Sequence, residues 1–276
     1  MAEGRYLIIN ADDLGWLAGR DRGIFRSIEY GIVTSVSLFA NGATFAAAAA
    51  ELSRYSVGVG VHLNLSEGGA LTGTIRGLTD CGGNFLGKSA ARQIFLHGDF
   101  DRDAALRELR AQVQRVLDSG VVIDHIDSHQ HMFIFPAMSE IMLDICEFFS
   151  ITAVRLPLPA EPRGDDPLPP LGDELQLYRQ HAGKLATLIC ANGLFAPAGL
   201  WGMPHLNRLD EAVLLAMLEH IPAGCWELMV HPGDEDAGMV FCGVERRLEQ
   251  QALVAASVHA AIKKHAITLT TFGEQQ

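Results

Sequence analysis

Residues 6–13 read Tyr6-Leu7-Ile8-Ile9-Asn10-Ala11-Asp12-Asp13, a short apolar run that ends in two adjacent carboxylates. An apolar run of this length predicts a buried strand. In a parallel α/β barrel the carboxyl ends of the strands form the functional face, so acids at this position are well placed for chemistry. Capping of the next helix by an aspartate is the alternative interpretation. Two like charges at one strand end repel each other unless a cation or a proton intervenes.

The pattern of this first run repeats along the chain, because short apolar runs alternate with longer amphipathic stretches. Such alternation is typical of βα units around a parallel sheet. The sequence therefore predicts an α/β fold, a (β/α) barrel-like single domain over residues 1–276 with roughly seven parallel strands and outer helices. Strands are predicted at Tyr6–Asn10, Ser35–Phe39, Val57–Leu63, Val122–Ile126, Ala153–Leu156, Glu227–Val230 and Thr268–Thr271. Helices are predicted at Arg22–Tyr30, Thr44–Arg54, Asp101–Asp118, Ala137–Phe149, Tyr178–Ala191, Asp210–His220 and Arg246–Lys264.

The composition narrows the classes of function. The formal net charge is -12, with 21 Lys and Arg against 33 Asp and Glu. Nucleic acids are bound by clusters of Lys and Arg, so this balance argues against a nucleic-acid partner. No apolar run is long enough for a membrane span, although a lipid-linked substrate at a membrane surface stays compatible with the sequence. Five cysteines, an odd number without CxxC spacing, predict reduced thiols and a cytoplasmic location.

Histidines follow two further predicted strands. His62 lies at the end of one run, and the heptapeptide His125-Ile126-Asp127-Ser128-His129-Gln130-His131 follows another. A lone histidine is usually a core residue, but imidazoles and carboxylates at separate strand tips are what a divalent cation needs. If residues 123–129 continue as a strand, His125 and His129 lie about 13 Å apart and cannot share an ion. A helical turn after Asp127 would bring them together.

The apolar residues 121–123 favour the strand, which makes His129 the expected ligand and His125 a buried residue behind the ligands. Two other strand ends carry candidates. Pro232 biases His231 away from helical geometry, which suits a side chain that has to be aimed. Arg155 is the only base at a strand tip, and it would orient a carboxylate or a substrate hydroxyl, with a surface salt bridge as the alternative.

Four motifs, NADDLG, GVHLNL, HIDSHQH and ELMVHPG, together resemble the YdjC-like family of carbohydrate deacetylases in their order and separation. The resemblance covers nearly the whole chain and includes residues 31–35 and Glu249 with Leu253. It implies a barrel-like fold, a divalent ion that is Mg²⁺ or a similar ion such as Zn²⁺, and hydrolysis of the acetyl group of an N-acetylglucosamine-type sugar. HIDSHQH is more similar to the chitooligosaccharide deacetylases of the family than to its hopanoid-associated glycolipid deacetylases. A homodimer is a further expectation from the family.

Carried over residue by residue, the resemblance implies a role for each motif. The metal ligands become Asp13, His62 and His129, and Asp12 becomes the base. The family's histidine before proline corresponds to His231, which we expect to donate a proton to the leaving amine. We expect Asp127 to hold a histidine in its working tautomer. The substrate-binding candidates, for sugar stacking and hydroxyl recognition, are Asn64, Glu67, Arg155 and Trp201. They follow from their positions in the sequence and not from the resemblance, and the segment around Trp201 matches no motif of the family.

Two other functions fit part of this pattern. A phosphoester or other ester hydrolase would use the same metal, but it would need more positive charge for its substrate than Arg155 provides. A non-catalytic, metal-dependent carbohydrate-binding protein would use the ion to grip hydroxyl groups, but it would not need Asp12 beside Asp13. Hydrolysis of an acetylated amino sugar is therefore the leading hypothesis from the sequence.

Overall fold

The computed structural model describes residues 4–161, 172–236 and 238–275. Within these ranges, seven strands alternate with nine α-helices. The strands are β1 (Arg5–Leu14), β2 (Ser35–Leu38), β3 (Gly58–Leu63), β4 (His125–Ser128), β5 (Leu200–Trp201), β6 (Gly224–Val230) and β7 (Ile267–Thr270). The helices are α1 (Ala18–Glu29), α2 (Phe45–Leu52), α3 (Lys88–His97), α4 (Arg102–Asp118), α5 (Pro136–Phe149), α6 (Glu174–Ala191), α7 (Glu211–His220), α8 (Val244–Leu253) and α9 (Ala256–Lys264).

The strands form one parallel sheet in the order β4-β3-β2-β1-β6-β5, and β7 also pairs with β1. β1 is the central strand, because β6 pairs with it from Arg5 to Ala11. On its other side, β7 pairs with residues 5–8 of β1, and β2 pairs with the part from Asn10 onward. The sheet is a half-barrel surrounded by helices, which confirms the predicted α/β, barrel-like class. Because all these pairings are parallel, the carboxyl ends of the strands meet at one end.

Residues 152–160 connect the two edges of this sheet. The backbone N–H of Arg155 donates to the carbonyl of Ile126 in β4, and Pro159 forms a bridge with Leu200 in β5. The two prolines in this segment have no N–H to donate, so the contacts stay isolated bridges instead of a ladder. The predicted strand Ala153–Leu156 is therefore wrong as a regular strand, but its residues do lie between two strands.

The other differences from the predicted elements are local. The strand predicted at Val122–Ile126 is displaced toward the carboxyl end, because Val122 is 84% exposed and lies before β4. β5 has only two residues, too few for a recognisable pattern. α3 lies directly after the long connection that begins at Ser66, where no helix was predicted. The helix predicted at Arg246–Lys264 is two helices, because Ala255 takes an extended backbone conformation between them.

Two further sequence predictions concern cysteines and membranes. The five cysteines all lie in the described residues and are unpaired, as predicted. Among the described helices, none has both the length and the apolar character needed to cross a bilayer.

One end of the barrel interior is closed by packed rings and apolar side chains. Ile8, Ala153 and Phe272 form a small cluster there, and the ring of His125 stacks on Phe272 with 3.8 Å between centroids. Gly60 of β3 faces this stack, and a Cβ at Gly60 would stand 2.3 Å from Nε2 of His125. The glycine in β3 therefore provides the space that the histidine occupies.

We expect Gly60→Ala to lower the free energy of unfolding by about 1–3 kcal/mol, because the added methyl group overlaps a ring in a packed interior. Gly183→Ala is the matched control. Gly183 lies inside α6 with nothing within 4 Å of an added Cβ, and alanine there is expected to add up to about 1 kcal/mol through helix propensity. Urea denaturation of both variants measures the two effects. A Gly60→Ala protein as stable as the wild type would contradict this packing.

Candidate metal centre and active site

Side chains in two strands, β1 and β3, and in the turn after a third, β4, meet at one point at the carboxyl end of the barrel. Oδ1 of Asp13 lies 3.5 Å from Nε2 of His62 and 3.3 Å from Nδ1 of His129. The two imidazole nitrogens are 3.3 Å apart. Ligand atoms bound about 2.0–2.1 Å from one ion are roughly 3.0–3.4 Å from each other. The three side chains therefore form a group that could hold a metal ion.

Asp13 is the most constrained member of this group. Its φ of 67° lies in the left-handed region, which costs a non-glycine residue about 1–3 kcal/mol and is common at functional sites. Burial alone would raise its pKa, but His129 and Arg20 hold the pKa of this carboxyl well below its usual range. Its buried Oδ1 accepts no hydrogen bond of good geometry, although Nδ1 of His129 lies 3.3 Å away. An ionised, buried oxygen that is poorly satisfied in this way fits a site for a cation.

Asp127 determines the orientation of His62. The strand register places the two residues opposite each other in β3 and β4. Nδ1 of His62 lies 3.0 and 2.9 Å from the two oxygens of Asp127. This contact turns Nε2 toward Asp13, and a carboxylate at one ring nitrogen holds a ligating histidine in one tautomer.

His129 begins the turn that follows β4, and 16% of its side chain is exposed. Burial alone would lower its pKa, but the carboxylates of Asp13 and Glu67 raise the pKa to about 9. The imidazole is therefore protonated near neutral pH when no cation is bound. A metal ion has to displace this proton, because only the neutral ring is a ligand.

The guanidinium of Arg155 lies among three carboxylates from three strands. It donates to both oxygens of Asp12 at 2.7 and 2.6 Å. Nε donates to Glu227 at 2.8 Å, with Nη2 2.6 Å from the same oxygen. Nη1 lies 2.6 Å from Asp127. An arginine has five N–H donors, and these contacts use all of them. Arg155 therefore orients a carboxylate, and it has no donor left for a substrate hydroxyl.

Burial and Arg155 act in opposite directions on the carboxylates of this cluster. Burial raises the pKa of Glu227, and Arg155 offsets only part of that effect. For Asp127 the charges of Arg155 and His62 outweigh burial and lower the pKa. Oε2 of Glu227 is buried without a hydrogen-bond partner. A proton on Glu227 would reduce the excess of negative charge around one cation.

His231 lies directly after β6, with Nε2 3.9 Å from Oδ2 of Asp12. Its backbone N–H donates to Oε1 of Glu249 at 2.8 Å, and its carbonyl accepts from Arg20 at 2.7 Å and from Arg246 at 3.2 Å. Both backbone polar groups are thus held, which fixes the position of the side chain. Burial lowers the pKa of this imidazole well below its usual range, so the ring is neutral at rest.

Two of the substrate-binding candidates are buried in the structure. Asn64 is fully buried, and its amide oxygen accepts the backbone N–H groups of Ser66 and Glu67. Asn64 therefore holds the start of the connection after β3. Trp201 is 2% exposed and packs against Trp226, with 6.3 Å between ring centroids, so its face is not accessible to a sugar. An amide and an indole are side chains that suit sugar binding, but the sequence alone does not show that these two are buried.

The heptapeptide from His125 to His131 neither continues as a strand to residue 129 nor coils after Asp127. β4 ends at Ser128, and Gln130 and His131 take φ values of 54° and 56°, which reverses the chain. His125 is buried, as predicted, and its Nδ1 contacts Asp124 at 2.6 Å instead of a candidate ligand. Two residues of strand separate His125 from Asp127, which is about 6.6 Å along the barrel.

Sequence reasoning missed several residues of this site. Trp16 follows NADDLG directly, is partly exposed, and stacks on His129 with 6.3 Å between centroids. Its position next to a motif was a usable signal. Arg20 and Arg246 hold His231 from 211 and 15 residues away along the chain. Neither separation matches a motif, so only the folded chain reveals their contact with His231.

Comparisons with known proteins agree with this architecture. The model of the YdjC-like protein family matches residues 6–264. A carbohydrate deacetylase from Mus musculus is 32% identical over 95% of this chain and 92% of its own length. A carbohydrate deacetylase from Xenopus laevis is 34% identical over 55% of this chain and 51% of its own length.

A likeness to a solved structure concerns the fold. A protein from Enterococcus faecalis V583, named for a proposed cleavage of cellobiose-phosphate, superposes with a TM-score of 0.78 at 20% identity over 99% of both chains. The family model covers most of this chain, and the Mus musculus relative aligns along nearly all of it. The chain therefore belongs to the YdjC-like family.

Proposed function

We propose that this protein is a divalent-metal-dependent hydrolase that removes the acetyl group from an N-acetylglucosamine-type sugar, with residues 1–276 acting as one deacetylase domain. The observation that carries the proposal is the triangle of Asp13, His62 and His129 beside a second carboxylate, Asp12, that Arg155 holds in place. Family membership and the relatives named carbohydrate deacetylase support the class of substrate. Binding of hydroxyl groups alone would not require the second carboxylate.

Asp13, His62 and His129 would hold the ion. A divalent ion in this position supplies polarisation of the acetyl carbonyl and lowers the pKa of a water molecule. Two imidazoles and one carboxylate are a donor set that Zn²⁺ and other first-row transition ions favour, whereas Mg²⁺ favours oxygen ligands. The donor set therefore favours a transition-metal ion over the Mg²⁺ that the family resemblance implies. Activity has to be tested with both kinds of ion.

Asp12 is the proposed base. It adjoins Asp13 in the chain, and Arg155 binds both of its oxygens while Asn10 donates to Oδ1 at 2.8 Å. The carboxylate is therefore already oriented before a substrate binds. A fixed orientation lowers the reorganisation that a reaction requires. Asp12 would accept the proton of the attacking water as the oxygen of that water bonds to the acetyl carbon.

His231 is the proposed proton donor to the leaving amine. The ring is neutral at rest, so its proton has to arrive during the reaction. Oδ2 of Asp12 is 3.9 Å from Nε2 of His231, which leaves a short route for the proton that Asp12 takes from the water. His231 then gives that proton to the nitrogen as the C–N bond breaks. The second proton of the water stays on the new carboxyl group, so the products are the free amino sugar and acetic acid, which releases that proton to become acetate.

The metal-dependent reaction is tested by acetate release from a panel of N-acetylglucosamine oligomers and glycolipids. We expect release in the presence of Mg²⁺, Mn²⁺, Co²⁺ or Zn²⁺, loss of release with a chelator, and recovery when the ion is restored. Phosphate release from sugar phosphates, measured in the same samples, is expected to be absent because Arg155 has no free donor. Acetate release that a chelator does not affect would exclude the metal, and sugar binding without acetate release would exclude the reaction.

The different roles of the two aspartates are tested by Asp12→Asn and Asp13→Asn. Loss of a general base lowers rates by about 10²–10⁴-fold, so Asp12→Asn should lower kcat by that factor. Its metal affinity should stay within a few-fold of wild type, because Asp12 is not a proposed ligand. Asp13→Asn should lose metal affinity instead. Steady-state kinetics and calorimetric metal titration check both, and full activity in Asp12→Asn would rule out its role as the base.

Proton release on metal binding tests the ligand role of His129. The pKa of about 9 keeps His129 protonated at neutral pH in the metal-free protein. Metal binding near pH 7 should therefore release about one proton per ion from this residue. The release should decline as the pH rises through about 9, because the free ring is then already neutral. Titration calorimetry in buffers of different ionisation enthalpy counts the protons, and no release at neutral pH would contradict the assignment.

A further inference from the structure

Glu67 stands beside the candidate metal centre, and the reaction described above gives it no part. It lies on the connection between β3 and α3. Its Oε1 is 3.7 Å from Nε2 of His129 and accepts a hydrogen bond from Nε2 of Gln130 at 2.7 Å. The side chain is 37% exposed, so it sits at the rim of the site.

The backbone of Glu67 is held from both sides by amide side chains. Its N–H donates to Oδ1 of Asn64 at 3.1 Å, and its carbonyl accepts from Nδ2 of Asn64 at 2.7 Å. Nδ2 of Asn41 lies 3.3 Å from the same carbonyl and also donates to Gly69 at 3.0 Å. Asn64 is fully buried, so its two bonds to Glu67 start from a fixed side chain, whereas the bond from Asn41 to Gly69 is exposed. These bonds therefore restrict the carboxylate of Glu67 to one region beside His129.

The backbone of the residues that face Glu67 is strained. Gln130 and His131 are two consecutive non-glycine residues with φ of 54° and 56°. Residues in this region of backbone conformation are strained, and they persist where the surrounding structure requires them. The reversal that they make follows His129 directly and brings the amide of Gln130 to Glu67.

The two candidate histidine ligands have similar surroundings. Each presents one nitrogen to Asp13, and each has a carboxylate near its other nitrogen. For His62 that carboxylate is Asp127, hydrogen-bonded at 2.9 Å. For His129 it is Glu67, whose Oε1 lies 3.7 Å from Nε2 and accepts from Gln130, whose own Nε2 is 3.4 Å from the same ring nitrogen. A carboxylate at the far nitrogen fixes the ring of a ligating histidine and raises its basicity.

We propose that Glu67 is a positioning residue that holds His129 as Asp127 holds His62, and that it thereby couples metal binding to the connection between β3 and α3. The inference rests on the proposed function only in requiring that an ion binds at Asp13, His62 and His129. The sequence predicted substrate binding for Glu67, and the positioning role takes the place of that prediction. Because Asn41 donates to the carbonyls of both Glu67 and Gly69, a restraint on Glu67 passes to the start of residues 68–87.

The test measures metal affinity in the full chain without any substrate. Metal-free wild type, Glu67→Ala, Glu67→Gln and Asp127→Asn are titrated with Zn²⁺ and with Mn²⁺ by calorimetry. Loss of such a supporting carboxylate typically costs 10–100-fold in metal affinity, which we expect for Glu67→Ala and Asp127→Asn. Glu67→Gln should lose less, because its amide oxygen keeps a partial negative charge toward Nε2 of His129. Glu51→Gln is the control, since Glu51 makes a surface ion pair with Arg54.

Hydrogen exchange provides a second measurement, because a purely local role would not affect residues 68–87. We expect added metal to slow amide exchange in these residues in the wild type and in Glu51→Gln, but not in Glu67→Ala. Wild-type affinity in Glu67→Ala, with a raised KM for the sugar, would overturn the inference in favour of substrate binding. In that case Asp127→Asn would still lose affinity and the proposed function would stand. A wild-type protein that binds no ion would overturn both.

Discussion

The buried guanidinium of Arg155 and its three carboxylates hold the interior of this barrel in one arrangement. The cation lies on the segment that connects β4 to β5, and its partners Asp12, Asp127 and Glu227 come from β1, β4 and β6. Loss of the guanidinium would leave three buried carboxylates without a counter-charge, and removal of one partner of a buried ion pair costs about 3–5 kcal/mol. The strands therefore cannot shift relative to each other without a large penalty, and the side chains at their ends keep their positions.

Two chains of contacts lead from this guanidinium to the site. Through Asp127 it reaches His62, whose other nitrogen faces Asp13. Through Asp12 it reaches the vicinity of His231, 3.9 Å away. The guanidinium of Arg155 thus helps to position both the proposed metal ligands and the proposed acid and base. A change at the guanidinium would alter both metal affinity and proton transfer, whereas a change at a single ligand would alter one.

The sequence indicated where the candidate site lies, because acids and histidines follow apolar runs that predict strands. Parallel strands bring their carboxyl ends together, and these side chains with them. That reasoning, with the family resemblance, correctly grouped Asp13, His62 and His129 at one end of the barrel. It did not anticipate the burial of Trp201 and Asn64, because a residue type that suits sugar binding also packs well in a core or holds a loop. The burial of a side chain depends on which distant segments pack against it, and a local sequence pattern does not predict those contacts.

By itself the sequence determined the α/β alternation and the family of the chain, since periodic burial and motif order are properties of the chain taken in order. Only the tertiary structure decided that Arg155 faces three carboxylates instead of solvent, because its partners lie 28 to 143 residues away along the chain. The same holds for the arginines behind His231 and for Glu67 beside His129. Contacts across such separations follow from strand register and loop path, and these exist only in the folded chain.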